Sequence, residues 1–498
     1  MKTRIQKNPK TKLSGKIKNY SFLVDNKPPV CYNSLIVSER VNIKGGFFMD
    51  RKVKIFDLNE VPEEVRNIWN ALEDNGFDTY LVGGAVRDSF LGLSPKDFDL
   101  ATSALPGQVH EVISLELPEV KLDFVGAAFG VMLVDGIEVA TFRKDTVNAS
   151  GEDDVEYVSS LKDDLSRRDF TVNAMAITSS GILIDPFNGL DDLENRVLRF
   201  VGDANERINE DPNRILRACR FIAKLHFTPS GKTAGALWSN RSVVNDIAPE
   251  RIRLEMLKAM ECEEPSIFFS ALQFLEILEF ILPELSDCYL HTGGKHHPET
   301  VWEHNMLVGD ALPKEDPILR LTGFLHDIGK PAAWLEAPGR FINHHKIGKK
   351  ILENRLNELK FSNAEIRRIC GLVDTHMFFI KGLTPKAQRK LLKTLDSYGI
   401  DWKDLVRIRI ADHKGNVAKG KMTVSEVKTI VKSFTQVQDV PVSVKSLAVT
   451  GGQLIKEFGL APGPVVSQIQ KALLEYVLET GVQSEDCLLV KTQELINK

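Results

Sequence analysis

Residues 80–102 read YLVGGAVRDSFLGLSPKDFDLAT, and the rest of the chain is organised around this stretch. An apolar strand over 80–82 runs into Gly83 and Gly84, a short helix follows, and a second strand carries Asp97 and Asp99. Alternate residues of a strand point to one face, so the two carboxylates stand side by side. Carboxylates this close repel one another unless a cation lies between them. Mg2+ favours one or two protein carboxylates together with substrate phosphates. The paired glycines leave backbone N–H groups open ahead of a helix N-terminus, where free donors and the helix dipole suit a phosphate. Arg87, one turn into that helix, adds a fixed positive charge. A phosphate cradle beside metal-holding carboxylates is the equipment of nucleotidyl transfer. A loop with solvated acids is the plainer reading of Asp-x-Asp alone.

On either side the pattern is that of a small mixed sheet flanked by helices. Val65, Ile68, Trp69 and Leu72 recur at helical spacing over 61–75, and 105–115 is a second helical pattern. Strands are expected over 121–125, 130–134 and 137–143, the last two joined by the hairpin signal Asp135-Gly136. Glu138 shares a strand face with Ala140 and Phe142, and a carboxylate buried on such a face needs a partner, for which a metal serves. Residues 144–166 are polar and acidic and read as a mobile loop.

Residues 167–175, RRDFTVNAM, bring chemistry of another kind. The Arg168 guanidinium suits phosphate oxygens, the Asp169 carboxylate suits a ribose hydroxyl, and Asn173 is placed to hold the same sugar. An Arg–Asp ion pair is the plain alternative. Pro186 and Gly189 punctuate a crossing between domains. Asp211-Pro212-Asn213-Arg214 then opens a helix expected to run to about Leu225. Asp211 and Arg214 lie near one face. Cytosine and adenine both present an amine beside an acceptor ring nitrogen, and uracil and guanine present the reverse. A carboxylate that only accepts and a guanidinium that only donates therefore select C and A. A helix cap beside a surface arginine is the alternative. A helix over 247–260 sets Arg251 and Glu255 at i,i+4 and is expected to brace the preceding one.

Taken together these motifs resemble those of the class II tRNA nucleotidyltransferases, the CCA-adding enzymes and their bacterial poly(A) polymerase relatives, over roughly residues 60–490. The resemblance implies an α+β chain: a mixed-sheet nucleotidyltransferase head (53–185), then an all-helical neck (186–288), HD domain (289–420) and RNA-binding tail (421–498). It implies Mg2+ at Asp97 and Asp99 with Glu138 completing the site. It implies nucleotide binding by Gly83, Gly84, Arg87, Arg168, Asp169, Asn173, Asp211, Arg214 and Arg217, with tRNA, CTP and ATP as partners. SGEDDVEY (150–157) departs from the more basic Gly/Arg/Pro segment usual there. A poly(A) polymerase or A-adding enzyme shares the head and neck motifs. A catalytically silent RNA-binding scaffold would lack the carboxylates that this chain keeps.

From residue 290 the histidines gather: His296, His297, His304, His326, His344, His345, His376 and His413. FLHDIGK (324–330) resembles the signature of the HD phosphohydrolase superfamily. That likeness implies His304, His326, Asp327 and Asp412 as metal ligands, with His344 and His376 at the extra positions used where two metals bind. Imidazole with carboxylate suits nickel, manganese, iron or zinc, and such a pair activates water against a phosphate ester. Lys330 is placed for the substrate phosphate. A degenerate domain kept for RNA binding is the alternative. In the tail, Lys414, Lys419, Lys421, Lys428 and Lys432 suit RNA phosphates or a solvated face.

The composition excludes little else. The chain has 498 residues, 43% hydrophobic and 27% charged, and its net charge of −4 gives no global case for nucleic-acid binding. Six scattered cysteines without a C-x-x-C pair point to reduced thiols and a cytoplasmic protein. No apolar run has membrane-spanning length. Residues 1–52 form a basic extension, read either as an RNA-touching arm or as untranslated sequence. On the second reading, Lys44-Gly45-Gly46 reflects a ribosome-binding site ahead of a start at Met49. Nothing here fixes an oligomeric state.

Overall fold

The computed structural model describes residues 34–43, 47–124, 130–147, 153–292, 299–378, 383–418 and 421–497. The readings placed on residues 1–33, Lys44-Gly45-Gly46, Gly151, Glu152, His296, His297 and Lys419 lie outside them. The chain divides into two compact units, Met1–Leu165 with Met175–Pro186, and Ser166–Ala174 with Phe187–Lys498. Of the motif over 167–175, expected within the head, all but Met175 belongs to the second unit. Its Phe170 ring packs 4.9 Å from Phe200 and 5.3 Å from Phe221, and the Val201 N–H donates to the Asp169 carbonyl.

In the first unit, β1 (Ser34–Ile43) and β2 (Phe47–Phe56) form an antiparallel pair that the sequence reading did not place, and the expected boundary at 52/53 falls within β2. Seven further strands make the mixed sheet: β3 (Thr79–Val82), β4 (Asp99–Thr102), β5 (Leu122–Asp123), β6 (Val131–Val134), β7 (Ile137–Thr141), β10 (Ala176–Ile177) and β11 (Leu183–Ile184). Their order is β11-β10-β3-β4-β7-β6-β5, with β4–β7 parallel and the other pairs antiparallel. Asp135 (φ 52°) and Gly136 (φ 83°) turn β6 into β7, the positive dihedrals a tight two-residue hairpin requires. Helix Glu63–Asp74 buries Val65, Ile68, Trp69 and Leu72 as its period predicts, and helix Pro106–Glu116 buries Val109, Val112 and Ile113. The segment read as a mobile loop instead contains an antiparallel pair, β8 (Arg143–Val147) and β9 (Asp153–Tyr157). Thr146, Val147, Val155 and Tyr157 are strand formers, and their propensity outweighs the acidic residues among them.

The second unit is almost wholly helical. Helix Arg214–Leu225 packs on Pro249–Met260 and Ser266–Phe274. Helices Val301–Asp310, Pro317–Leu325, His344–Glu358, Asn363–Thr375 and Trp402–Gly415 then form a bundle. Helices Gly451–Phe458, Pro464–Thr480 and Glu485–Ile496 share a small core around Leu454, Leu473, Val477 and Leu488. Cys219, Cys262, Cys288 and Cys370 are buried free thiols, and burial pushes Cys262 up to about 11 and Cys370 up to about 12. None of the described helices is long and apolar enough to cross a membrane.

Candidate active sites

In the first unit the sheet register builds an acidic cleft. β4 begins at Asp99, which pairs with Val82, the residue before Gly83. The parallel register Leu100↔Val139 puts Asp99 at the level of Glu138 on the adjacent strand. Asp97, Asp99 and Glu138 line one open cleft of 550 Å3 together with Lys96, Phe98 and Asp135. Asp97 is exposed and Asp99 half-buried. Glu138 corrects an expectation: its face of β7 is the open one and the carboxylate is exposed, whereas Val139 and Thr141 point into the core. Gly83 takes φ 75°, ψ −135°, a conformation open to glycine, and lets β3 turn straight into helix Gly84–Phe90. Arg87 does not project to solvent. Its guanidinium is buried and forks onto Asp88 Oδ1 at 2.6 and 2.7 Å.

In the second unit Asp169 is buried and fully engaged. Oδ1 accepts from the Phe170 N–H at 2.8 Å and from the Asn173 amide at 2.9 Å, and Oδ2 accepts from Arg217 Nε at 2.9 Å and Nη2 at 2.5 Å. Burial alone would raise the carboxyl. The Arg217 guanidinium, helped by Asn173, outweighs it and holds the group below the usual carboxylate range. Asp169 is thus held in an ion pair with Arg217, 48 positions away, a pairing that the sequence reading did not weigh. Arg220 continues the network, donating from Nε to Glu255 Oε2 at 2.5 Å, with Arg217 Nη1 3.9 Å from Oε1.

Asp211 and Arg214 are near neighbours but are not paired with each other. Asp211 Oδ1 accepts from the Asn213 N–H at 3.1 Å, and Oδ2 accepts from Arg251 at 2.9 Å. Arg214 turns inward, donating to the carbonyls of Arg207 and Arg167 and to Glu210 Oε2 at 2.8 Å. Arg251 reaches across to Asp211 and Glu255 is taken by Arg220, so both residues of the 247–260 helix contact the segment it was expected to brace. The packing of Arg214–Leu225 on Pro249–Met260 sets these partners, which spacing along one helix does not reveal.

The histidine cluster also lies in the second unit, and there all six residues named from the sequence converge. His304, His326 and Asp327 offer ligand atoms within 4.8 Å of one another, and Asp327, His344 and His376 do the same, so Asp327 is shared. His304 Nε2 lies 3.2 Å from Asp412 Oδ1 and 3.7 Å from Asp327 Oδ2. His344 Nε2 lies 3.1 Å, and His376 Nε2 3.6 Å, from Asp327 Oδ1. Nδ1 of His326, His344 and His376 meets the carbonyl of Gly323, Phe341 and Val373 at 2.7, 2.8 and 2.7 Å. A carbonyl only accepts, so each Nδ1 donates to it, and each Nε2 is turned towards Asp327. Gly329 permits the geometry, because a Cβ there would collide with the His344 carbonyl and the Gly348 backbone. Lys330 differs from expectation: its Nζ is buried 2.5 Å from Asp327 Oδ2. Burial alone would raise the Asp327 carboxyl, and Lys330 and His326 outweigh it and hold it well below the usual carboxylate range. Glu299, 3.6 Å from His304 Nδ1, and Arg409, 2.6 Å from Asp412 Oδ2, are members of this environment that the sequence reading missed. The signal for Glu299 was an acid a few residues before His304.

A mixed-sheet head with an acidic cleft, followed by a helical unit, is the plan of a nucleotidyltransferase. The family model described as "Poly A polymerase head domain" matches residues 79–199, "Probable RNA and SrmB- binding site of polymerase A" matches 226–289, and "tRNA nucleotidyltransferase domain 2 putative" matches 339–492. The CCA-adding enzyme of Lactiplantibacillus plantarum is 37% identical over 444 residues, 87% of this chain and 97% of that protein. The A-adding tRNA nucleotidyltransferase of Deinococcus radiodurans is 31% identical over 417 residues, 79% of this chain and 90% of that one. The Levilactobacillus brevis CCA-adding enzyme is 39% identical over 217 residues, 42% of this chain and about half (53%) of that protein's length. The crystal structure of the Bacillus stearothermophilus CCA-adding enzyme in complex with CTP shares the fold, with TM-score 0.63, 24% identity, and coverage of 88% of this chain and 100% of that one. The chain belongs to the family of CCA-adding and A-adding tRNA nucleotidyltransferases, within the poly(A) polymerase superfamily.

Proposed function

We propose that this chain adds C, C and A to tRNA 3′ ends from CTP and ATP, in the cytoplasm. The observation that carries the reading is the convergence of Asp97, Asp99 and Glu138 in one cleft beside Gly83, in a chain of this family. The reaction is attack of the terminal 3′-hydroxyl on an α-phosphate, with pyrophosphate leaving. The three carboxylates suit Mg2+, a hard cation that takes oxygen ligands, and the ion supplies neutralisation of the triphosphate and activation of the attacking hydroxyl when bound. Exposure of Asp97 and Glu138 leaves room for the substrate phosphates that complete such a site. Arg217, fixed by Asp169, which Asn173 holds in turn, keeps a positive charge in a set place. We assign Arg168 to the triphosphate. CTP alone should extend a tRNA that ends before CCA by two nucleotides. No use of CTP, with A added to a tRNA that already ends in CC, would establish the A-adding reading instead.

Asp211 and Arg214 are proposed to select the base. Asp211 reads an amine by exchanging Arg251 for it, and that ion pair is partly exposed and worth about 0–1 kcal/mol, so the exchange is cheap. Arg214 is buried and reaches a base only by releasing Glu210 together with the carbonyls of Arg207 and Arg167. Asp211→Ala should slow addition of C and A and admit U or G, since a correctly placed polar pair discriminates by about 1–3 kcal/mol, roughly tenfold to a hundredfold. Single-turnover addition of each of the four NTPs measures this, and unchanged selectivity would reduce Asp211 to the partner of Arg251.

A second reading rests on the histidine cluster: a metal-dependent phosphohydrolase in the same chain. Four buried imidazoles with Asp327 and Asp412 suit nickel, manganese, iron or zinc, which supply water activation when bound. His326→Ala should abolish hydrolysis of a 2′,3′-cyclic phosphate and leave nucleotide addition intact. Equal loss of both activities would contradict two independent sites.

A further inference from the structure

Resting on the phosphohydrolase reading of the histidine cluster, we infer that Arg409 binds the substrate of that site, its guanidinium taking a phosphate oxygen of the ester, the role that the sequence suggested for Lys330. Access decides the place. The side chains of His304, His326, Asp327, His344 and His376 are 1–5% exposed, whereas that of Asp412 is 17% exposed. A phosphate ester therefore meets the cluster at Asp412. Two cations touch the carboxylates of the cluster. Lys330 Nζ, 2.5 Å from Asp327 Oδ2, belongs to a side chain only 8% exposed and is shut in with its partner. Arg409 Nη1 donates to Asp412 Oδ2 at 2.6 Å, and its side chain is 23% exposed. Arg409 is thus the cation on the open side.

The fold holds Arg409 ready for this. Arg409 and Asp412 are three apart on helix Trp402–Gly415 and so share a face. Gly415, three further on, lets that helix close on His304, since a Cβ there would stand 2.6 Å from Val308 Cγ2 and 3.5 Å from His304 Nδ1. The close approach divides the Asp412 carboxylate. Oδ1 faces His304 Nε2 at 3.2 Å, inside the cluster, and Oδ2 faces Arg409. Asp412 can therefore offer Oδ1 to a cation and keep Arg409 on Oδ2. That bond occupies Nη1, the one nitrogen of Arg409 with a partner among the described residues. A guanidinium carries five N–H donors in a fixed fork, so Arg409 can take a phosphate oxygen without leaving Asp412. A side chain already anchored at one end loses less freedom on binding.

The visible absorption of Co2+ bound to the full chain reads ion uptake, and its change on adding orthophosphate reads the anion. Arg409→Gln should take up Co2+ as tightly as wild type or more so, because the cation that competes for Asp412 is gone. The Co2+-loaded variant should bind orthophosphate about 10- to 100-fold more weakly, the size of a charge-assisted hydrogen bond, with Arg409→Lys in between. KM for a 2′,3′-cyclic phosphate should rise with it, while nucleotide addition by the same preparations stays unchanged and reports a folded chain. If Arg409 only held Asp412 in place, its loss would weaken Co2+ uptake by about 10- to 100-fold, as removal of an outer partner does, and spare phosphate binding by the loaded protein. That result would overturn the inference, as would orthophosphate that binds wild type and variants alike or not at all. No uptake of Co2+ would remove the phosphohydrolase reading and the inference with it. Phosphate binding that depends on Arg409, without hydrolysis of the ester, would remove that reading and leave the phosphate site standing.

Discussion

Alanine at Asp97 or at Asp99 should lower nucleotide addition by about 10³-fold or more, with little change in the melting temperature. The size follows from the role. A bound divalent ion contributes several kcal/mol of transition-state charge stabilisation, and each 1.36 kcal/mol is a factor of ten in rate. Asp99 and Glu138 come from adjacent strands at one level and Asp97 joins them in the cleft from just before β4, with no deep burial to lose. Asp97 is exposed and Asp99 half-buried, so their removal belongs with surface changes that cost within about 0.5 kcal/mol of stability. Glu138→Gln should also slow addition. Initial rates of labelled CTP incorporation, with thermal melts of each variant, check both halves. Retained addition at ordinary Mg2+ would remove the cleft from the chemistry.

The largest effect on stability is expected at Arg220. Its guanidinium and the Glu255 carboxylate are 10% and 5% exposed, and the bond between them ties helix Arg214–Leu225 to helix Pro249–Met260. Arg220→Met leaves Glu255 buried with Arg217 3.9 Å away as the nearest remaining cation. Breaking one partner of a buried ion pair costs about 3–5 kcal/mol, whereas replacing both by apolar groups is often neutral. Urea denaturation should therefore show Arg220→Met strongly destabilised and the double variant Arg220→Met/Glu255→Met recovering much of the loss. Arg217 drawn towards Glu255 also loosens Asp169, so Arg220→Met should weaken nucleotide binding even where the chain stays folded. A cost below about 1 kcal/mol would mean that the pair does not hold the two helices together.

The six residues of the histidine cluster were legible in the sequence because FLHDIGK, with the histidines and acids around it, resembles the HD phosphohydrolase signature. His326 and His376 directly follow helices, and His344 begins one. Asp97 and Asp99 were expected on one strand, but β4 begins at Asp99; Asp97 lies just before it and reaches the same cleft from the preceding loop. What escaped was the choice of partner between helices. Arg251 could be seen four residues before Glu255, but its bond to Asp211 spans 40 positions, and that of Arg217 to Asp169 spans 48. Such pairs depend on how two helices cross, which no local pattern encodes. The exposure of Glu138 escaped for a related reason: alternation says which residues share a face of β7, but not which face the helices cover. The acidic residues near 153 suggested a loop, although flanking β-branched residues pair as strands.

The central claim is that this chain completes a defined three-nucleotide end on tRNA. The most direct test is to incubate the purified chain with tRNA lacking CCA and all four NTPs together, and to sequence the 3′ ends. CCA on nearly every molecule, with no further growth and no U or G, is the predicted result. An open-ended run of A would contradict it, as would ends that stay unextended unless CC is already present.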